Sequence, residues 1–204
     1  MPSVLTVAVL VFSGVEPLDV AGPFEVLAVA GELMDPADGL PRPRPELVGV
    51  EPGLVRARYG MVLAPETHLQ ATPAPAPDWV VVPGGEGSRA VAEDERVLAW
   101  LRSRRGRSRR LMSVCTGARV LAAAGLLDER RATTHASAMD ELRTMVPTAD
   151  VRPDARWTRD GPVWSSGGVT AGIDMALAAV ADHAGDELAR RVAGHLEHPW
   201  APPN

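Results

Sequence analysis

The sequence predicts an α/β fold with one mostly parallel sheet covered by helices on both faces. Two observations carry that prediction. Short runs rich in Val and Leu alternate along the chain with segments whose apolar residues recur at helical spacing. One stretch, Leu111 to Gly125 (LMSVCTGARVLAAAG), passes from an apolar strand directly into an alanine-rich helix at Cys115, the single cysteine. A residue at such a turn presents its side chain above the sheet, beside the unbonded N–H groups of the first helical turn. That position stabilises a thiolate and makes Cys115 a candidate nucleophile. The alternative is a buried structural cysteine, since free Cys is among the most buried residue types.

Composition narrows the class. A chain of 204 residues suits one domain, read here as residues 1–198 followed by a loose Pro-rich tail at 199–204. With 46% hydrophobic and 23% charged residues it has the profile of a soluble globular protein. No apolar run approaches the roughly 18 residues of a membrane span. The N-terminus lacks a basic segment before its apolar stretch and reads as a first strand, not a signal peptide. One cysteine cannot form an internal disulfide, which fits the cytoplasm. All 21 basic residues are arginines, and without lysine neither Schiff-base chemistry nor a Walker-type phosphate loop is open to the chain. The net charge of −5 argues against a general nucleic-acid binder.

In chain order, Val4 to Phe12 reads as a strand buried on both faces, ended by Ser13-Gly14. A helix follows to about Leu33, with Pro23 suited to its first turn. Asp19 then stands at the helix start, either as a cap or as an acid at the carboxyl edge of the sheet. Asp35 to Pro45 reads as a surface loop, Glu46–Val50, Leu54–Arg58 and Val62–Ala64 as short strands, and Thr72 to Pro77 as a stiff linker within the domain. Trp79 to Val82 feeds Gly84-Gly85, either a plain tight turn or a place where backbone amides approach a ligand closely.

Asp94 to Arg105 is helical, with Val97, Leu98 and Leu101 on one face. The arginines at 102, 104, 105, 107, 109 and 110 read as a solvated rim, because no aromatic residues interleave them. After the central stretch come a short strand at Ala132–Thr134, His135, and a helix at Met139–Met145. Next is a hairpin across Asp160-Gly161. Thr170 is a capping candidate for a helix over Ile173–Ala184, and a last helix runs from about Glu187 to Leu196. His195 and His198 lack a nearby third ligand and read as surface residues, not a metal site. Asp19, Gly84-Gly85, Cys115 and His135 each follow a predicted strand, so they converge on the sheet edge where such folds bind ligands.

With those residues assembled, the chain resembles the ThiJ/PfpI superfamily, the class I glutamine-amidotransferase-like fold, and most closely its isonitrile hydratase branch. The matching segments are GVEPLDVAGPFEVL from Gly14, VPGGEG from Val82, SVCTGARVLAAAGLL from Ser113, ATTH from Ala132 and SGGVTAGI from Ser166. The resemblance implies a flavodoxin-like three-layer sandwich with Cys115 on a strained nucleophile elbow, and a homodimer. It implies a lyase that hydrates a small-molecule isonitrile to an N-substituted formamide, with no metal or organic cofactor. Cys115 would be the nucleophile, Asp19 the acid that handles protons beside it, and Thr116 a donor of an N–H and a hydroxyl. The Gly84 and Gly85 amides would bind developing negative charge, with His135 in the substrate pocket.

Peptidase-like relatives carry histidine directly after the cysteine. Thr116 stands there in this chain, which argues against peptidase activity. The glyoxalase-like and deglycase branches pair the thiol with histidine and a glutamate, which keeps His135 open as a competing base. Redox sensing at Cys115 and a non-catalytic ligand-sensing role, as in domains preceding AraC-type DNA-binding units, are further alternatives. The chain ends after its last predicted core helix, so a fused regulator is not expected. Ala136 replaces the bulky aromatic residue common after this histidine, which alters the expected pocket shape and so the substrate.

Overall fold

A computed structural model describes residues 3–71 and 76–202. Its strands in chain order are β1 (Val4–Val11), β2 (Arg42–Gly49), β3 (Val55–Arg56), β4 (Val62–Leu63), β5 (Thr67–His68), β6 (Trp79–Val82) and β7 (Arg110–Val114). β8 (Arg131–Ala132), β9 (Asp150–Val151), β10 (Trp157–Asp160) and β11 (Val163–Ser166) complete the set. The helices are α1 (Pro17–Leu33), α2 (Ser88–Val91), α3 (Glu95–Arg102), α4 (Gly117–Ala123), α5 (Met139–Met145), α6 (Ala171–Ala184) and α7 (Asp186–His195). The main sheet runs β10-β11-β7-β6-β1-β2-β5, and every neighbouring pair is parallel except the β10–β11 hairpin. The expected α/β sandwich is thus present, with β6, β7 and β1 at its centre and almost wholly buried.

β2 corrects the sequence reading, which placed Asp35–Pro45 in a loop. The strand begins at Arg42 and contains Pro43 and Pro45. Arg42 donates its N–H to Ser3 O on the β1 side, whereas Leu47 N–H points the other way, to Glu66 Oε2. The odd-numbered residues therefore face away from β1. β5 pairs only with Val48 and Gly49, so the two prolines lie along open edge where no donor is needed. β3 and β4 form a separate antiparallel pair, and the edge strand β5 was not anticipated. Four of the six residues of the Thr72–Pro77 linker lie outside the described residues.

α1 begins earlier than expected. Pro17 takes the first helical position and Pro23 lies inside the helix, so Asp19 falls in the first turn, not at the cap. The cap position belongs to Glu16, which makes no side-chain capping bond. Thr170 occupies the N-cap of α6 without a side-chain capping bond either. The arginine rim is not uniformly solvated. The Arg110 guanidinium lies 4.2 Å from the Trp79 ring and 5.1 Å from that of Trp164, and pairs with Asp182. At the C-terminal end, His198 Nε2 is 2.8 Å from Asp174 Oδ1, and Trp200 is partly buried against the core. Among the described residues, no helix is long and apolar enough to cross a membrane.

Candidate active site

The site forms where β1, β6 and β7 end side by side. Cys115 follows β7 directly and has φ +56°, in the left-handed region that costs a non-glycine residue of order 1–3 kcal/mol. Hydrogen bonds hold it there from both ends. Its N–H donates to Ser166 O and Gly167 O, each at 3.1 Å, and its carbonyl accepts from Thr134 Oγ1 at 2.8 Å. This is the sharp strand-to-helix elbow, and it turns at once into α4. The tightness of the turn explains Gly117, where a Cβ would fall 2.0 Å from Val82 O.

Beneath the elbow, Asp19 is completely buried. Its Oδ2 accepts the Gly84 N–H at 3.0 Å, while Oδ1 has no standard hydrogen-bond partner among the described residues. Burial raises its carboxyl from 3.8 to about 6. The Gly84 N–H, the Cys115 thiol and the Val169 N–H lie beside the carboxyl and partly offset that rise.

The thiol departs from the sequence expectation. A helix N-terminus alone favours thiolate, yet here the Cys115 thiol is pushed up to about 12. Burial is the main cause and the Asp19 charge the next, outweighing the Thr116 N–H and hydroxyl that act the other way. At neutral pH the pair is therefore a thiol beside a carboxylate. This arrangement does not store a free thiolate.

Gly84 and Gly85 have a different task from the one expected. Gly84 N–H is committed to Asp19, and Gly85 N–H donates to Thr116 Oγ1 at 3.0 Å. The two amides fix the acid and the threonine instead of standing free for an oxyanion. Only glycine fits at 84, where a Cβ would lie 2.6 Å from both Thr116 N and Oγ1 and 3.0 Å from Asp19 Oδ2.

Asp19, Gly84, Gly85, Cys115 and Thr116 are thus one connected cluster. His135 enters from across the cleft on a short 3₁₀ turn that it caps itself. Its Nδ1 accepts from Ser137 N–H at 3.2 Å, which puts the proton of the neutral ring on Nε2. The ring packs on Gly168, where a Cβ would come within 2.2 Å of Cδ2. His135 lines the same cleft as Cys115 but lies outside the hydrogen-bonded cluster around the thiol.

The cleft above Cys115 encloses about 540 Å³ and is bounded by Thr116, His135, Val169, Tyr59, Arg89 and Arg119, among others. Two of its features were not picked out from the sequence. Arg119 is 8% exposed on α4 and pairs with Glu141 through Nε at 2.8 Å and Nη2 at 2.6 Å. Val169 has φ +51°, unusual for a β-branched residue. A lone arginine on the alanine-rich face of α4 was the available signal for the first; nothing in the sequence marked the second.

Comparison with known proteins agrees with this architecture. An isonitrile hydratase from Pseudomonas putida is 38% identical over 201 residues, spanning 98% of this chain and 81% of that protein. The HTH-type transcriptional regulator CdhR of Pseudomonas aeruginosa is 35% identical over 182 residues, covering 89% of this chain but 48% of the regulator. Among solved structures, a ThiJ/PfpI family protein from Pseudomonas syringae superposes with a TM-score of 0.82 at 28% identity, covering all of this chain and 79% of that one. Its neighbours are flavodoxin-like, as the sheet order here requires. The family model for DJ-1/PfpI matches residues 5–182, a span containing the elbow, the buried acid and the glycine pair, and the chain belongs to the DJ-1/PfpI family.

Proposed function

We propose that this protein hydrates isonitriles, using Cys115 as nucleophile and Asp19 as proton carrier. The observation that carries this reading is the pairing of a buried, protonated thiol with a buried carboxylate at a strained elbow. The terminal carbon of an isonitrile must receive both a nucleophile and a proton, and a thiol–carboxylate pair supplies the two together. The similarity to an isonitrile hydratase over nearly the full chain supports the same reaction.

In the first step the sulfur bonds to the terminal carbon of R–N≡C. The thiol proton passes by way of Asp19 to the same carbon, giving the thioimidate R–N=CH–S–Cys115. In the second step water adds to that carbon, and Asp19 accepts its proton and passes it to the nitrogen. The C–S bond then breaks, the hydroxyl proton returns to sulfur through Asp19, and R–NH–CHO leaves. No redox change occurs and no cofactor takes part. Thr116 supports the sulfur through its N–H and hydroxyl, and Gly84 and Gly85 hold Asp19 and Thr116 in place.

Incubating the protein with cyclohexyl isocyanide and following N-cyclohexylformamide tests the assignment. Formation at the wild-type rate by Cys115→Ala would remove the mechanism. The regulator relative favours one second reading, a ligand-sensing domain. Saturable isonitrile binding without formamide would select it. The reading includes a homodimer in the cytoplasm, and sedimentation of the purified protein checks the dimer.

A further inference from the structure

Tyr59 stands at the tip of the β3–β4 hairpin, in the turn Arg58–Gly60, with φ +62°. An aromatic residue is strained in this left-handed region, which glycine enters freely. Packing does not account for the choice, since Tyr59 is 79% exposed. Strain kept where the fold does not need it points to a function.

Hydrogen bonds fix where the ring stands relative to the thiol. Gly14 N–H donates to Arg56 O and Arg58 N–H to Val15 O, each at 2.9 Å, which ties the hairpin to the loop between β1 and α1. That loop is tied in turn to the glycine pair, through Glu16 N–H to Gly84 O at 3.0 Å and a bridge between Val15 and Gly85. The Arg58 guanidinium pairs with Glu16 at 3.4 Å and lies over the Tyr59 ring, 4.8 Å from its centre, which steadies it. Tyr59 and Cys115 thus line one cleft in a fixed relation.

The rest of the lining leaves the ring a clear task. Six of the side chains around the cleft carry a formal charge, and Arg58, Arg89 and Arg119 are all paired with Glu16 or Glu141. Beyond the elbow, the apolar side chains are Ala138, Val169 and Tyr59. A hydrocarbon group gains by leaving water for apolar surface, and Tyr59 offers the largest such surface in the cleft.

We propose that Tyr59 determines specificity, its ring receiving an apolar substituent of the molecule that reacts at Cys115. The substrates this selects carry a bulky hydrocarbon group, such as a cycloalkyl ring, in preference to a methyl group. The inference rests on Cys115 being the reactive group of this cleft, as in the function proposed above. It does not depend on the substrate being an isonitrile.

The test compares alkylation of Cys115, the single cysteine, by N-cyclohexylmaleimide and N-methylmaleimide, each rate divided by that with N-acetylcysteine. The wild type is expected to favour the cyclohexyl reagent about three- to tenfold, the effect of covering about 30–55 Å² of apolar surface. Tyr59→Ala should bring the ratio down to that of the free thiol, and Tyr59→Phe should keep it. Tyr59→Gly, which suits the turn, decides the matter if Tyr59→Ala fails to fold. The ratio is the readout, so a general loss of reactivity does not imitate the effect. A wild type without the preference, or one that does not react with the cyclohexyl reagent, would overturn the proposal. So would an unchanged ratio in Tyr59→Ala or Tyr59→Gly. A Tyr59-dependent ratio in a protein that makes no formamide would refute the hydratase reading and leave this one standing; formamide production with no such ratio would do the reverse.

Discussion

Replacing Asp19 by Asn should stabilise the protein at neutral pH while abolishing its activity. The folded state raises this carboxyl from 3.8 to about 6, so it binds its proton more tightly than the unfolded chain does. A group with a raised folded value contributes stability that is full below about pH 4 and is lost as pH rises through about 6. Above that, keeping Asp19 ionised in its buried site costs about 3 kcal/mol relative to a neutral side chain. Asn cannot ionise, and its carbonyl oxygen can still accept the Gly84 N–H.

The stability gap between Asp19→Asn and wild type should therefore widen by about 2 kcal/mol between pH 4 and pH 8. For a chain of this length that corresponds to roughly 4–8 °C in melting temperature. Urea unfolding of both proteins across that range is the assay. Acid effects from other carboxylates cancel in the difference, and Cys115, near 12, does not contribute there. A gap that stays constant with pH, or narrows as pH rises, would refute the buried-carboxylate account.

Other predictions follow from the same cluster. Turnover should rise with pH through about 6, as Asp19 ionises, and hold a plateau to beyond pH 9, because the thiol stays protonated. An activity maximum below pH 5 would contradict this. Gly84→Ala should lose at least a hundredfold in turnover, since its Cβ would collide with Thr116 and crowd Asp19; steady-state kinetics on the folded variant measures it. His135→Ala should leave the pH profile of Cys115 alkylation unchanged while altering KM, because His135 lines the cleft but lies outside the thiol's hydrogen-bonded cluster.

The parts of the fold that local pattern governs were legible in the sequence. Buried parallel strands such as β1 and β6 announce themselves as unbroken apolar runs, and the Asp160-Gly161 turn identifies its hairpin. β2 was not legible, because Pro43 and Pro45 look like loop residues until the open edge beside them is known. The start of α1 was ambiguous between two prolines, and the burial of Asp19 is a tertiary fact that neither proline encodes.

At the site, the elbow at Cys115 and its proximity to Asp19 could be anticipated from motif order. The ionisation state could not. A helix N-terminus acts locally and is visible in sequence, whereas desolvation and the Asp19 charge depend on what the fold brings together, and they prevail. The same holds for Gly84 and Gly85. Their amides are visible as possible donors, but their commitment to Asp19 and Thr116 emerges only once three strand ends meet. Ser88 carried no motif at all, and its buried hydrogen bond to Arg119 emerges only in the fold.

On the proposed reading, a protonated thiol and an ionised carboxylate at the elbow together hydrate an isonitrile. The most direct measurement is N-cyclohexylformamide formation from cyclohexyl isocyanide by the wild type, Cys115→Ala and Asp19→Asn, with each variant shown to be folded. The account predicts turnover by the wild type and at least a thousandfold loss in both variants. Formamide produced by Cys115→Ala at the wild-type rate, or none produced by the wild type across pH 6 to 9, would contradict it.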